Sequence, residues 1–249
     1  MPEKPTQPDT ATYITARGFC LTSAAWMMLA TLAGFIAAIE LVAPDLTGNI
    51  AWLLFSRLRP MHVNLVLFGF VTPGLLGSAF YLVPRLLRTE LYSERLGVFT
   101  VILWNLALVA LVVSLAAGFT QGREYAEMIW PIDVGIVIAF SLIFFNLMMT
   151  VKNRQEKILY VSVWYVLAGI LLTICTYSLG NVIWQPDSGA LVGIPDAILL
   201  WFYGHNVFGL LLTPLAAAIA YYIIPQVCRT PLRSEERRVG KECRSRWAP

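Results

Sequence analysis

Charge is what this sequence lacks most. Asp, Glu, Lys and Arg make up 13% of its 249 residues, against about 25% in an ordinary soluble domain. That shortage excludes a conventional soluble enzyme. It also excludes a disordered chain, which needs low hydrophobicity and high net charge. Cysteine is sparse: Cys20, Cys175, Cys228 and Cys243 form no C-x-x-C and no Cys/His spacing. Neither a zinc site nor a disulfide framework is indicated. Histidine is scarcer still, with only His62 and His205. No Gly-X-Y period or charged heptad run occurs, and residues 18–118 do not repeat in 134–228. The missing repeat counts against a transporter built from two related halves.

What is present is apolar surface. Hydrophobic residues make up 58% of the chain, and the mean hydropathy is +0.68. Six stretches carry no Asp, Glu, Lys or Arg: residues 18–39, 60–84, 96–122, 134–151, 158–186 and 197–228. A bilayer-spanning helix needs about 20 mostly apolar residues. In lipid each segment must satisfy its own backbone hydrogen bonds. The sequence therefore predicts an all-α, polytopic bundle of six transmembrane helices. The short alternating segments of a transmembrane barrel are missing. Glu3 and Asp9 precede the first run, and that run is too long for a cleaved signal peptide.

Residues 1–17 read as an N-terminal arm, 18–232 as the helical body and 233–249 as a separate tail. The tail resembles the translation of a sequencing adaptor and is expected to be non-native. It holds six of the 18 basic and three of the 15 acidic residues, so the rest carries twelve of each. The basic excess thus says nothing of nucleic acid, and none is expected as a partner. Lys4, Arg17, Arg85, Arg88, Arg95, Lys152, Arg154 and Lys157 fall on one side of the predicted bundle. Arg57, Arg59 and Arg123 fall on the other. By the positive-inside rule the N-terminus is cytoplasmic. Trp130 and Trp184 mark outer helix ends.

Polar residues inside apolar runs carry the chemistry. An ionisable side chain in a membrane segment is costly and marks a functional site by default. Imidazole is the usual protein ligand of haem iron and copper. A histidine bonded to a neighbouring helix is the plain alternative for each case. If the second helix begins near Asn49 and the sixth near Ile194, His62 and His205 lie thirteen and eleven residues in. At about 1.5 Å per residue both sit roughly 16–20 Å below the outer ends. One buried redox site in the outer half of the membrane would use both. Arg57 and Arg59 stand outward of His62, either meeting haem propionates or snorkelling to the interface. Thr213 and Tyr221 follow His205 at +8 and +16, roughly on one stripe of a 3.6-residue helix. They read as a proton path or as packing and interfacial residues. Asn64, Asn105, Asn146 and Asn181 read as helix–helix hydrogen-bonding groups.

Three segments carry a resemblance. RLRPMHVN (Arg57 to Asn64), TQGREYAEMIWPID (Thr120 to Asp133) and WFYGHN (Trp201 to Asn206) resemble the catalytic subunit I of cbb3-type cytochrome c oxidases, in the haem–copper oxidase superfamily. The likeness spans most of residues 50–232, with its segments in order on the expected helices. It implies that these six helices are the first half of a twelve-helix subunit in a bacterial inner membrane. It implies that His62 is an axial ligand of a low-spin haem b and His205 one of three ligands of the copper CuB. The remaining copper ligands and the histidines of both haems would follow the sixth helix. The implied activity is reduction of dioxygen to water with electrons from cytochrome c, coupled to proton pumping. The implied cofactors are low-spin haem b, a high-spin haem and copper. Membrane lipid and c-type cytochrome subunits are the implied partners. Three other readings compete: a nitric oxide reductase large subunit, a metal-free transporter and a truncated, nonfunctional product. The reductase would place a glutamate near the histidine of helix six, and none follows Asp196 there.

Overall fold

The computed structural model describes residues 13–48, 50–181, 191 and 193–228. The 233–249 tail, Trp184 and the arm before Tyr13 lie outside them. The described residues form helices, with no strand among them. The helices are α1 (Ile14–Val42), α2 (Phe55–Asn64), α3 (Thr72–Leu87), α4 (Glu94–Ala117), α5 (Trp130–Lys152), α6 (Val161–Asn181), α7 (Ile194–Asn206) and α8 (Thr213–Cys228). Joined end to end, α2 and α3 make one span, Phe55–Leu87, and α7 and α8 another, Ile194–Cys228. Six helices long and apolar enough to cross a membrane result. The chain is a multi-pass membrane protein.

Local chemistry sets the helix ends. Ser93 caps α4, its Oγ accepting from the Leu96 N–H at 3.1 Å. This satisfies one of the donors a helix start leaves open. Gly118 ends α4 at φ 91°, a left-handed position that glycine adopts without a Cβ penalty. Pro131 and Pro195 enter in the first turns of α5 and α7, where a missing N–H costs nothing. The second helix begins at Phe55, not near Asn49, because a 3₁₀ turn (Ala51–Leu53) intervenes. His62 is thus about two turns into its helix and His205 about three. The matched spacing from the two helix starts expected from sequence does not hold.

The joints inside the two long spans are π-helical, at Leu65–Val71 and Val207–Leu212. Each begins just after a histidine and ends at a Thr-Pro pair. Thr72 N–H bonds the Leu67 carbonyl and Thr213 N–H the Phe208 carbonyl, five residues back. Pro73 and Pro214 have no N–H to give, so carbonyls near them are released. Phe68 O accepts from Trp104 Nε1 at 2.8 Å, and Phe70 O from Ser23 Oγ at 2.7 Å. The Leu210 carbonyl instead lies against Gly169, where an added Cβ would stand 3.0 Å from it. The released groups thus bind the first long span to α4 and α1.

Large aromatics fill the centre of the bundle. Trp104 meets Phe140 edge-on at 5.0 Å and Phe68 meets Tyr177 at 6.0 Å. In lipid such rings hold neighbouring helices together by van der Waals packing rather than by leaving water. Asn105 accepts from Trp26 Nε1 at 2.7 Å, joining α4 to α1. Asn146 holds the backbone of Ser93 from both sides, at 3.1 and 2.9 Å. Asn64 donates to Glu127 at 2.7 Å. Asn181 Nδ2 turns back to the Tyr177 carbonyl of its own helix at 3.2 Å.

Candidate redox site

His62 stands on α2 against α1. Its Nδ1 lies 2.7 Å from the Ala30 carbonyl. A carbonyl only accepts, so Nδ1 carries the proton and Nε2 keeps its lone pair. Metal-binding histidines are commonly fixed in this way, with the second nitrogen donating to a backbone carbonyl. Beside the ring runs an open, mostly apolar groove of about 470 Å³. Gly34, Ala37 and Ala38 form one wall, with Phe55, Arg59 and His62 among the others. Small residues on α1 leave room there for a flat, apolar ligand.

The two arginines behave differently. Arg57 turns away from the groove and donates from Nη1 to the Ala116 carbonyl at the end of α4. A cation is favoured at that helix end. Arg59 lines the groove with His62 and pairs with Glu124 at 2.5 Å. Arg59, not Arg57, is therefore placed to meet an anion in the groove.

His205 is exposed on α7. It lines a second groove, of about 430 Å³, with Tyr125, Trp201, Phe208 and Thr213. The two grooves have no lining residue in common. Wider π turns rotate less per residue than α turns, so the Val207–Leu212 joint brings Thr213 back beneath His205. Tyr221 does not join them. Its ring stacks on Tyr165 of α6 at 5.8 Å. Among the described residues no three His, Cys, Asp or Glu side chains gather around a metal position. His205 supplies one imidazole from this chain.

Between the grooves lies a buried polar cluster to which sequence reasoning gave no role. The loop between α4 and α5 carries Gln121, Arg123 and Glu127 into the bundle, beside the start of α5 and the end of α6. Asp133 accepts from Tyr177 at 2.6 Å and from Gln121 at 2.9 Å. Arg123 donates to the Gly180 carbonyl at 2.8 Å and pairs with Asp196 at 3.0 Å. Tyr203 donates to the Tyr125 carbonyl at 3.0 Å. Its Cβ sits where any side chain at Gly180 would go, 2.6 Å from an added Cβ. Burial pushes the Glu127 carboxyl above the usual carboxylate range, against the Asn64 hydrogen bond that favours the charged form. The Thr120–Asp133 segment stands out in the sequence by its resemblance alone. Its burial could have been suspected only from three charges in so short a loop.

Two histidines thus stand on separate spans of a membrane bundle, one with its Nδ1 held by a backbone carbonyl. The comparisons give the family. Residues 15–239 match the family "Cytochrome C and Quinol oxidase polypeptide I". The chain belongs to that family. It is 34% identical over 229 residues to the cbb3-type cytochrome c oxidase subunit CcoN1 of Stutzerimonas stutzeri, covering 89% of this chain and 48% of that protein. It is 34% identical over 216 residues to a cytochrome c oxidase subunit 1 homolog of Azorhizobium caulinodans, covering 84% and 39%. A nitric oxide reductase subunit of Stutzerimonas stutzeri is more distant, 25% identical over 143 residues, covering 51% and 29%. The chain spans about half or less of the length of these relatives.

Proposed function

We propose that this chain forms part of the catalytic subunit of a bacterial terminal oxidase of the cbb3 type, reducing dioxygen to water with electrons from cytochrome c and coupled to proton pumping. The carrying observation is the tautomer of His62, fixed by the Ala30 carbonyl beside a groove of small residues. In this reading His62 would hold the iron of low-spin haem b, and Arg59 would meet its propionate. Arg57, held at the end of α4, supports the helix that carries both. His205 would offer one imidazole to CuB, with the other copper ligands and those of a high-spin haem coming from sequence beyond this chain. Bound haem and copper supply electron transfer and oxygen chemistry. The residues here orient, exclude water and hold charge. Thr213 lies in the His205 groove on the inner side and suits a proton path. Tyr221, a face away, suits the interface better. The N-terminus is cytoplasmic, the membrane is the bacterial inner membrane, and c-type cytochrome subunits are the partners.

Haem extraction and an optical spectrum of the full-length gene product test this. The expected result is b-type haem with low-spin bands. A product without haem overturns the reading and favours the metal-free transporter.

A further inference from the structure

The polar cluster beside the start of α5 and the end of α6 contains more hydrogen-bonding capacity than its side chains use. Arg123 is 6% exposed and Asn181 0%. Arg123 Nε, Asn181 Oδ1 and Gln121 Oε1 are buried and have no hydrogen-bond partner among the described residues. Arg123 Nη2 and Asp196 Oδ1 meet each other as an ion pair at 3.0 Å. One donor and two acceptors therefore stand unmet. Leaving a buried polar group unpaired costs about 1–3 kcal/mol each. Three such atoms in one cluster call for a shared partner that both donates and accepts. A buried water does both and typically makes about three hydrogen bonds.

The three atoms belong to one place. Gln121 holds Asp133 at 2.9 Å, and Asp133 holds Tyr177 at 2.6 Å. Arg123 is tied to Gly180, the neighbour of Asn181 in the chain, at 2.8 Å. Tyr203 packs on Tyr177 with ring centres 5.3 Å apart. Met128 reaches the Tyr177 hydroxyl, 3.6 Å from its sulfur.

We propose that Arg123, Asn181 and Gln121 enclose a site for bound water, lying beside the buried Asp133–Tyr177 pair and, through the Arg123 ion pair, next to the partly exposed Asp196. The ligand is water itself, and the site depends on neither haem nor copper. It therefore stands or falls apart from the oxidase reading.

Radiolytic hydroxyl footprinting of the purified full chain in ¹⁸O-labelled water tests it, because radicals generated from bound water label side chains that bulk solvent cannot reach. Trp104 and Tyr177 are 0% and 1% exposed. Trp104 bonds a backbone carbonyl among apolar neighbours and serves as the dry control. After correction for intrinsic reactivity, Tyr177 should take up ¹⁸O about tenfold faster than Trp104, and Met128 should follow it. Tyr177 as protected as Trp104 would overturn the proposal, the open atoms then being met by the chain. Asn181→Leu removes one acceptor and should lower Tyr177 labelling several-fold. Undiminished labelling in a folded Asn181→Leu protein would also overturn the site as drawn. Where that variant does not fold, the comparison of Tyr177 with Trp104 decides alone.

Discussion

His62 occupies the space that a side chain at Gly34 would need. A Cβ on Gly34 would stand 2.5 Å from Nδ1 and 2.7 Å from Cε1 of the imidazole. The glycine and the Ala30 carbonyl, one turn apart on α1, together fix where the ring lies and which nitrogen is free. In the full-length protein, His62→Ala should abolish the low-spin haem b spectrum, since alanine offers no ligand. Gly34→Ala should lower haem occupancy while leaving His62 in place, with overpacking costing about 1–3 kcal/mol. Unchanged spectra in both variants would make His62 a packing residue.

His205 and Thr213 share one groove, so their variants should separate by readout. His205→Ala in the full-length protein should remove copper, measured per haem, and leave the low-spin haem bands intact. Thr213→Val, which keeps the volume and deletes the hydroxyl, should leave copper in place. It should slow turnover only if the hydroxyl carries protons. Copper retained in His205→Ala would remove this residue from the metal site.

Charge-free runs mark the spans and conceal the cluster. The third run ends at Gly122 and the fourth opens at Val134, so Arg123, Glu127 and Asp133 fall between them. All three are buried, because the loop folds into the bundle and finds Gly180, Asn64 and Tyr177 there. Hydropathy records the average polarity of a segment and not whether a particular charge has a partner. The π joints were legible in part. Thr72-Pro73 and Thr213-Pro214 repeat the same pair below a histidine. A 3.6-residue period carried from His205 through the second pair puts Tyr221 on the His205 stripe, which the π turns between them undo. The histidines stood out because ionisable groups are so rare in this chain.

Loop charge predicts the topology. Reporter fusions after Gly122 and after Lys152 should report periplasmic and cytoplasmic sides respectively. Gly122 follows α4 and Lys152 ends α5, so one span separates them. The same side at both positions would sink the six-span reading. Reversed signals would sink only the orientation.

Tyr177→Phe deletes the donor to Asp133 Oδ1 and leaves a buried oxygen unmet. The expected cost is about 1–3 kcal/mol. Thermal unfolding in detergent should show it as a drop of roughly 2–4 °C per kcal/mol in a chain of this size. In an Asp133→Leu background the acceptor is gone, and Tyr177→Phe should then cost little. Equal losses in both backgrounds would mean that the hydroxyl does not act through Asp133.

Glu127 gives stability a pH dependence of definite sign. Its carboxyl is raised by burial, so the folded chain binds that proton more tightly than the unfolded chain does. Protonation therefore favours the fold. The stabilisation is fully present below the ordinary carboxyl range and is lost as pH rises through the raised value. Glu127→Gln mimics the protonated form and still offers an oxygen to Asn64 Nδ2, now 2.7 Å from the carboxylate. Melting temperatures of the two proteins in one detergent should nearly coincide at acidic pH. They should then separate as pH rises toward neutrality, with the variant the more stable. The difference between the two curves isolates Glu127 from every other titrating group. A wild-type protein that gains stability over the variant across that range would mean that the carboxylate is stabilised as an anion, with Arg59 and Asn64 outweighing burial.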